Sequence, residues 1–272
     1  MEYVRVQGVE VPAIGLGTWR LTGDACRRTV TDALELGYRH VDTAQVYGNE
    51  RQVGAGIADA DVDREDVFLT TKLSGGNRGY DDVLRSVDES LSKLDTSYLD
   101  LLLIHFPRPG VPLGETLAAM NELVDAGKVE HIGVSNFSIE RLQRARDLSD
   151  APIFTDQVQY HPYWPQTRLL DYCNIHGVML TAYSPLAQGE VLSDPVLEEI
   201  GDRYGKSPAQ VALRWLVQQE GVCTIPKATS REHLEANLQV FDFELSAEEM
   251  ARIRRPSKLK AARGFLRQSL PL

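Results

Sequence analysis

Cysteine is nearly missing from this sequence: 272 residues hold only Cys26, Cys173 and Cys223, far apart and without a CxxC spacing. An odd, scattered set supports neither a disulfide framework nor a zinc site, and such thiols serve as small buried hydrophobes. Long apolar runs are missing too. No stretch approaches the roughly 20 apolar residues that cross a bilayer, and Met1-Glu2-Tyr3-Val4-Arg5 lacks the basic-then-apolar pattern of a secretory leader. A cytoplasmic protein without membrane contact is expected. His40, His105, His131, His161, His176 and His233 form no HxH or HExxH cluster. No bound metal is therefore expected, and a metal-dependent hydrolase is disfavoured. Gly15-Leu16-Gly17 lacks the third glycine of a GxGxxG turn, which argues against a Rossmann fold. No proline- or serine-rich linker divides the chain, so residues 1–272 are expected to form a single domain.

Acid is absent from the C-terminal end. Residues 251–272 carry Arg252, Arg254, Arg255, Lys258, Lys260, Arg263 and Arg267, so the formal −10 of the chain divides into +7 there and −17 over residues 1–250. An acidic body is a poor partner for nucleic acid, whose phosphates need a basic face. Residues 255–272 read as a basic tail, expected to be solvated; the alternative is a contact segment lying over an anionic ligand. No interface signal stands out, and a monomer is expected.

What is present is ordinary globular composition, 43% hydrophobic and 25% charged. Short β-branched runs alternate with amphipathic segments. The strand candidates are Ile14–Trp19, Arg39–Thr43, Val67–Lys72, Leu99–His105, His131–Ser135, Phe154–Gln157, Val178–Tyr183 and Val222–Pro226. Helix candidates follow them, among them Asp24–Leu36, Asp81–Leu94, Leu113–Ala126, Ser138–Asp147 and Pro208–Gln219. Gly37 and Gly127 mark helix stops, and Ser138 and Ser207-Pro208 mark starts. Eight such units in this length predict an α/β fold, a closed (β/α)8 TIM barrel. Val4 to Val11 alternates around Gly8 as an N-terminal β-hairpin able to plug the barrel floor, and Ala247 to Arg254 reads as an additional C-terminal helix.

Three polar residues then fall at strand C-terminal ends, the face where barrel active sites lie: Asp42, Lys72 and His105. Tyr47 follows Asp42 by five residues, in the loop above the same strand. Taken singly, each has an ordinary role as helix cap, solvated lysine, packed tyrosine or satisfied histidine. Together, with Lys72 and His105 each closing an apolar run, they form an acid–base device. Hydride attack on a carbonyl leaves negative charge on oxygen, which must be stabilised and protonated. A phenol of pKa roughly 10 is a reluctant acid near neutrality. An adjacent Lys72 ammonium is expected to lower that pKa, Asp42 to keep the ammonium charged, and His105 to hold the carbonyl oxygen.

Gly37-Tyr38-Arg39-His40-Val41-Asp42-Thr43-Ala44 with Tyr47, Glu50 and Gly54, then Ile132-Gly133-Val134-Ser135-Asn136-Phe137, then Ile225-Pro226-Lys227, are the motifs that carry a resemblance across essentially the whole chain. In them the sequence resembles the aldo-keto reductase family, and within it the small prokaryotic members similar to diketogulonate reductases. The resemblance implies a barrel enzyme reducing aldehydes or ketones with NAD(P)H, with Asp42, Tyr47, Lys72 and His105 as catalytic tetrad. It also implies a cofactor lying across the barrel mouth. Ser135, Asn136 and Gln157 would meet its carboxamide, and Tyr183 its nicotinamide ring. Ser184, Leu186 and Gln188 would follow the pyrophosphate, beside Gly17, Thr18, Trp19 and Asp42. Lys227, Thr229, His233 and Asn237 would lie at the adenosine end.

Departures from the family pattern occur there. Ala228 replaces the usual serine or threonine and His233 the usual arginine, with Thr229, Ser230 and Arg231 adjacent. A neutral imidazole offers a phosphate less than a guanidinium, so NADPH is expected to bind with a reduced preference over NADH. Trp19, Tyr47, His105, Phe106 and Tyr163 are expected to line the substrate pocket, which Ser74 widens and Gly264-Phe265-Leu266 walls. Small dicarbonyls, keto-sugar acids or sugar aldehydes are the expected small-molecule substrates. The competing class is a non-catalytic barrel that binds nicotinamide as a regulatory subunit or sensor.

Overall fold

The computed structural model describes residues 1–107, 110–257 and 259–260. The chain opens with an antiparallel hairpin, β1 (Tyr3–Val6) and β2 (Val9–Pro12). Its turn residues Gln7 and Gly8 both have positive φ, 50° and 85°, the geometry that matches strand twist in a two-residue hairpin loop. Val6 and Val11 share an apolar cluster with Phe68, Leu101, Leu103, Phe154, Met179 and Cys223. The hairpin therefore closes the floor of the barrel, as its alternation suggested.

Eight parallel strands follow: β3 (Leu16–Gly17), β4 (His40–Asp42), β5 (Phe68–Leu73), β6 (Leu99–Ile104), β7 (Val129–Ser135), β8 (Ile153–Gln159), β9 (Met179–Tyr183) and β10 (Val222–Thr224), each beside its sequence neighbour. The circle is completed by a parallel bridge between Ile14 and Thr224. Gly15 N donates to Thr224 O (2.8 Å) and Thr224 N to Ala13 O (2.9 Å). This seam needs glycine, because a Cβ on Gly17 would lie 2.5 Å from Ile225 O and one on Gly15 2.7 Å from the His40 ring. The fold is the (β/α)8 barrel expected from the pattern.

The surrounding helices are α1 (Gly23–Glu35), α2 (Glu50–Asp59), α3 (Tyr80–Leu94), α4 (Leu113–Asp125), α5 (Ile139–Leu148), α6 (Thr167–Ile175), α7 (Pro195–Tyr204) and α8 (Pro208–Val217), with α9 (Arg231–Leu238) and α10 (Ala247–Ile253) after the last strand. Ser138 caps α5, and Ser207 with Gln210 makes a capping box on α8. The strand boundaries lie close to the sequence-based ones, except that the first strand is shorter: Thr18 and Trp19 fall beyond it. All three cysteines are buried and free. Among the described residues no helix is long and apolar enough to cross a membrane.

In its described part, residues 255–257 and 259–260, the basic end differs from the solvated tail expected. Past α10, Arg255 N donates to Pro162 O and Ser257 N to Tyr163 O, both at 3.0 Å. The side chains of Arg255 and Lys260 pair with Asp194, and Arg252 with Glu199. An acidic body attracts basic side chains, and a buried carboxylate needs them. Lys258 and residues 261–272, including the wall expected at Gly264-Phe265-Leu266, lie outside the described residues.

Gly54 shows how tightly the outer ring is set. A Cβ there would stand 2.3 Å from Leu94 O and 2.6 Å from its carbonyl carbon, main-chain atoms that cannot rotate away. Gly54→Ala is expected to destabilise the fold by about 1–3 kcal/mol, the scale of overpacking, and to lower Tm by several degrees in a calorimetric scan; an unchanged Tm would refute the contact.

Candidate active site

The expected tetrad gathers at one mouth of the barrel. Asp42 ends β4, Lys72 lies near the end of β5, His105 follows β6, and Tyr47 closes the 3-10 turn Gln45–Tyr47 above β4. Thr70 is the cross-strand partner of Asp42, so Lys72, two residues on, shares its inward face by the period-2 rule.

Lys72 is wholly buried and the Asp42 carboxylate 2% exposed. Lys72 Nζ bonds Asp42 Oδ1 directly and donates to Thr43 O at 2.8 Å, while Gln157 Nε2 donates to Asp42 Oδ2 at 2.8 Å. Burial pulls the ammonium below its ordinary pKa, and Asp42 opposes it. The same ammonium sits 5.3 Å from the centre of the Tyr47 ring. The imidazole of His105 meets that ring edge-on, with centroids 5.8 Å apart, and stacks on Phe106.

Two electrostatic consequences follow. Burial, reinforced by the positive charges of Lys72 and Arg78, pushes His105 down to about 3, so it is a neutral imidazole near pH 7. The Tyr47 phenol departs from expectation: its pKa lies above the ordinary range, first through burial and then through the negative charge of Asp42. Asp42 touches Lys72 and offsets the ammonium field that was expected to lower it. Tyr47 is therefore a stored proton rather than an incipient phenolate.

A wall of polar groups stands opposite. Ser135 Oγ donates to Gln157 O (2.7 Å), and Asn136 Nδ2 donates to His105 O (3.1 Å) and Ser135 Oγ (2.9 Å). The Tyr183 hydroxyl donates to Asn136 Oδ1 (2.8 Å), and burial pushes that phenol up to about 12. Gln157 spends its amide on Asp42. Left-handed backbone is concentrated here, at Asn136 (φ 63°), Ser184 (51°), Ala187 (46°) and Gln188 (56°). Such residues cost on the order of 1–3 kcal/mol each outside glycine and cluster at functional sites.

These groups border a cleft of about 370 Å³ that also takes in Gly17, Trp19, Phe106, Ser184, Gln188 and Lys227. Trp19, Val46 and Phe106 are exposed on its rim. The Arg20 guanidinium covers the Trp19 ring at 4.4 Å, and its charge, after burial, lowers the pKa of Lys227. Two cations thus approach one another at the cleft edge.

Other predicted residues lie off the cleft. Thr18 is buried and donates to Asp42 O at 3.0 Å, Leu186 packs on the core, and Thr229 and His233 are exposed. Asn237 is buried beside the Tyr38 hydroxyl. Tyr163 is also buried, its hydroxyl 2.6 Å from Asp194 rather than in the pocket. Arg231 pairs with Asp32, Glu35 and Glu235. Sequence reasoning missed Val46, Gln159, Pro185 and Ile225, which do line the cleft. Gln159 was readable, being two residues beyond Gln157 on the same strand face.

A closed parallel barrel with a buried lysine–carboxylate pair beneath a tyrosine at its C-terminal mouth defines the class as a barrel oxidoreductase. The model of the aldo/keto reductase family matches residues 13–257. Glyoxal reductase of Bacillus subtilis (strain 168) is 42% identical over 249 residues, 90% of this chain and 89% of that protein. Methylglyoxal reductase DkgB of Salmonella typhi is 42% identical over 242 residues, 88% and 90% of the two. The structure of the aldose reductase from Schistosoma japonicum superposes with a TM-score of 0.90 at 35% identity over 96% of each chain. The chain belongs to the aldo/keto reductase family and is an oxidoreductase that reduces carbonyl groups.

The depressed His105 pKa is directly measurable. In histidine NMR spectra its ring resonances are expected to stay at neutral-imidazole positions from pH 8 down to pH 5, since about 3 is the folded value. A midpoint near the ordinary 6.5 would contradict the burial described.

Proposed function

We propose that this protein is an NADPH-preferring reductase of small aldehydes and dicarbonyls in which Tyr47 is the proton donor, with Asp42, Lys72 and His105 as its partners. The observation that carries this is the Lys72–Asp42 pair buried directly beneath the Tyr47 ring. When bound, a reduced nicotinamide cofactor would supply the hydride. Ser135, Asn136 and Tyr183 suit its carboxamide and ring, as a donor–acceptor cluster beside an aromatic face. Ser184 and Gln188 suit the pyrophosphate, and Lys227 with Arg20 the phosphate at the far end.

The chain's own groups then manage charge. Neutral His105 donates a hydrogen bond to the carbonyl oxygen and orients it toward Tyr47. As negative charge grows on that oxygen it becomes a far stronger base than the phenolate, so the Tyr47 proton moves to it despite the raised pKa. The phenolate left behind faces the Lys72 ammonium, which Asp42 and Thr43 hold in place. Trp19, Val46 and Phe106 give the cleft rim apolar surface that a bound substrate would cover, displacing water.

Relatives named for glyoxal and methylglyoxal reduction support a small dicarbonyl substrate, and keto-sugar acids or sugar aldehydes fit the polar side formed by Asn136, Gln159 and Gln188. Arg231, the guanidinium nearest His233 in the sequence, is engaged by three carboxylates and does not stand in for the missing phosphate-binding arginine. NADPH preference is accordingly modest. Residues 1–272 act as one domain, as a monomer without nucleic-acid partners, in the cytoplasm, where three unpaired cysteines are at home.

Tyr47→Phe is expected to cut kcat by about 10² or more while leaving cofactor affinity nearly intact, the scale of a lost general acid; wild-type turnover would overturn the assignment. A carbonyl panel run with both cofactors checks the remainder. A kcat/KM ratio for NADPH over NADH below about 10³ is expected, and a larger one, worth roughly 4 kcal/mol, would mean that other groups replace the arginine completely.

A further inference from the structure

Tyr47 and His105 stand on separate pieces of chain, each past the end of its strand. Tyr47 closes the turn after β4, and His105 and Phe106 follow β6. Beyond a strand end, backbone groups leave the sheet ladder and other partners must fix them. Gln45, two residues before Tyr47, supplies such partners on two sides. Its Nε2 donates to Ser86 O and Ser90 Oγ on α3, both at 3.2 Å. Its Oε1 accepts from Ser74 N (2.7 Å) and Asn77 Nδ2 (3.1 Å), in the loop that follows β5.

Arg78 continues from there. Buried, it donates from Nε to Ser74 O (3.1 Å) and from Nη2 to Phe106 O (2.9 Å). Its own carbonyl accepts from Thr116 Oγ1 at 2.7 Å, which ties the root of the side chain to α4. On the far side Asn136 Nδ2 holds His105 O, so the two carbonyls that follow β6 are gripped by different side chains. A single staple could be a neutral amide. A guanidinium instead offers donors in a rigid planar fork, which holds two carbonyls at a fixed spacing. One line of hydrogen bonds thus runs from the Tyr47 turn, through the main chain of Ser74, to the residue after His105. The rings at its two ends lie 5.8 Å apart, edge to face.

We propose that Gln45 and Arg78 are positioning residues for the reduction: through Ser74 they brace the Tyr47 turn against the end of the His105 strand and set the spacing at which one carbonyl oxygen meets both side chains. This rests on the roles proposed above for Tyr47 and His105. Neither Gln45 nor Arg78 borders the cleft, so they act through the groups they hold. Because a misplacement of about 1 Å can cost on the order of 10² in rate, such a brace has a kinetic consequence as well as a structural one.

The test compares Gln45→Leu, Arg78→Met and the double variant with the wild type. Tyr80→Phe is the control, since it cuts the Tyr80–Glu122 contact at the start of α3 without touching the brace. In the free proteins, the nuclear Overhauser contact between the Tyr47 and His105 rings is expected to lose intensity in the brace variants and to persist in the control. Single-turnover reduction of methylglyoxal by bound NADPH is expected to slow about tenfold in each single variant, with the Kd for NADPH unchanged. Because both residues act through one line, the double variant is expected to be about as slow as the worse single, whereas independent effects would multiply to about 10². Multiplying effects would overturn the proposal. So would a lowered Tm with ring contact and turnover rate as in the wild type, or a weakened ring contact without slower turnover. Should Arg78→Met fail to fold, Gln45→Leu, at a half-buried side chain, carries both readouts alone. If the wild type reduces no carbonyl, the roles of Tyr47 and His105 fall, while an unchanged ring contact in the variants would still sink the brace.

Discussion

An ammonium with no exposed surface is among the costlier things a protein can hold, and the mouth of this barrel is built around one. Lys72 is stable as a cation only because Asp42 touches it and Thr43 O accepts a further bond. Removing one partner of such a pair typically costs 3–5 kcal/mol, because the other charge stays behind unsolvated. The geometry comes directly from sheet register: adjacent parallel strands, a shared inward face and a two-residue offset.

That pair is in turn fixed from behind. Thr43 Oγ1 donates to Asn49 Oδ1 at 2.8 Å, and Asn49 Nδ2 holds Thr18 O and Leu21 O. Thr71 Oγ1 donates to buried Glu50 at 2.8 Å. Glu50 and Gly54, two members of the motif that revealed the family, thus act behind the chemistry. Glu50 docks α2 against the barrel and Gly54 lets it close on the end of α3, and α2 follows the turn that presents Tyr47. The consequence for Tyr47 is specific: burial first, and then the charge of Asp42, keeps its phenol protonated.

Much of the architecture was legible. Short β-branched runs marked the strands, Ser138 and Ser207-Pro208 marked helix starts, and alternation around Gly8 marked the hairpin. The strand-end rule alone brings Asp42, Lys72 and His105 to one face. The helices left undelimited have physical reasons for being faint. Gly54 and Gly56 lower the helix propensity of α2 in exchange for close packing, and α9 buries only Leu234 and Asn237 and so lacks an apolar stripe. Asp194-Pro195 was a readable start for α7 that the periodicity overshadowed.

By itself the sequence determined the barrel class, the order of its strands and which polar side chains gather at its mouth, because these follow from local periodicity and from which residue ends each strand. Only the tertiary structure decided the sign of the Tyr47 shift, the engagement of Arg231 and the docking of the basic end onto Asp194. Each depends on the distance between charges far apart in the chain and on how much water remains between them, and neither quantity is written in any local stretch of residues.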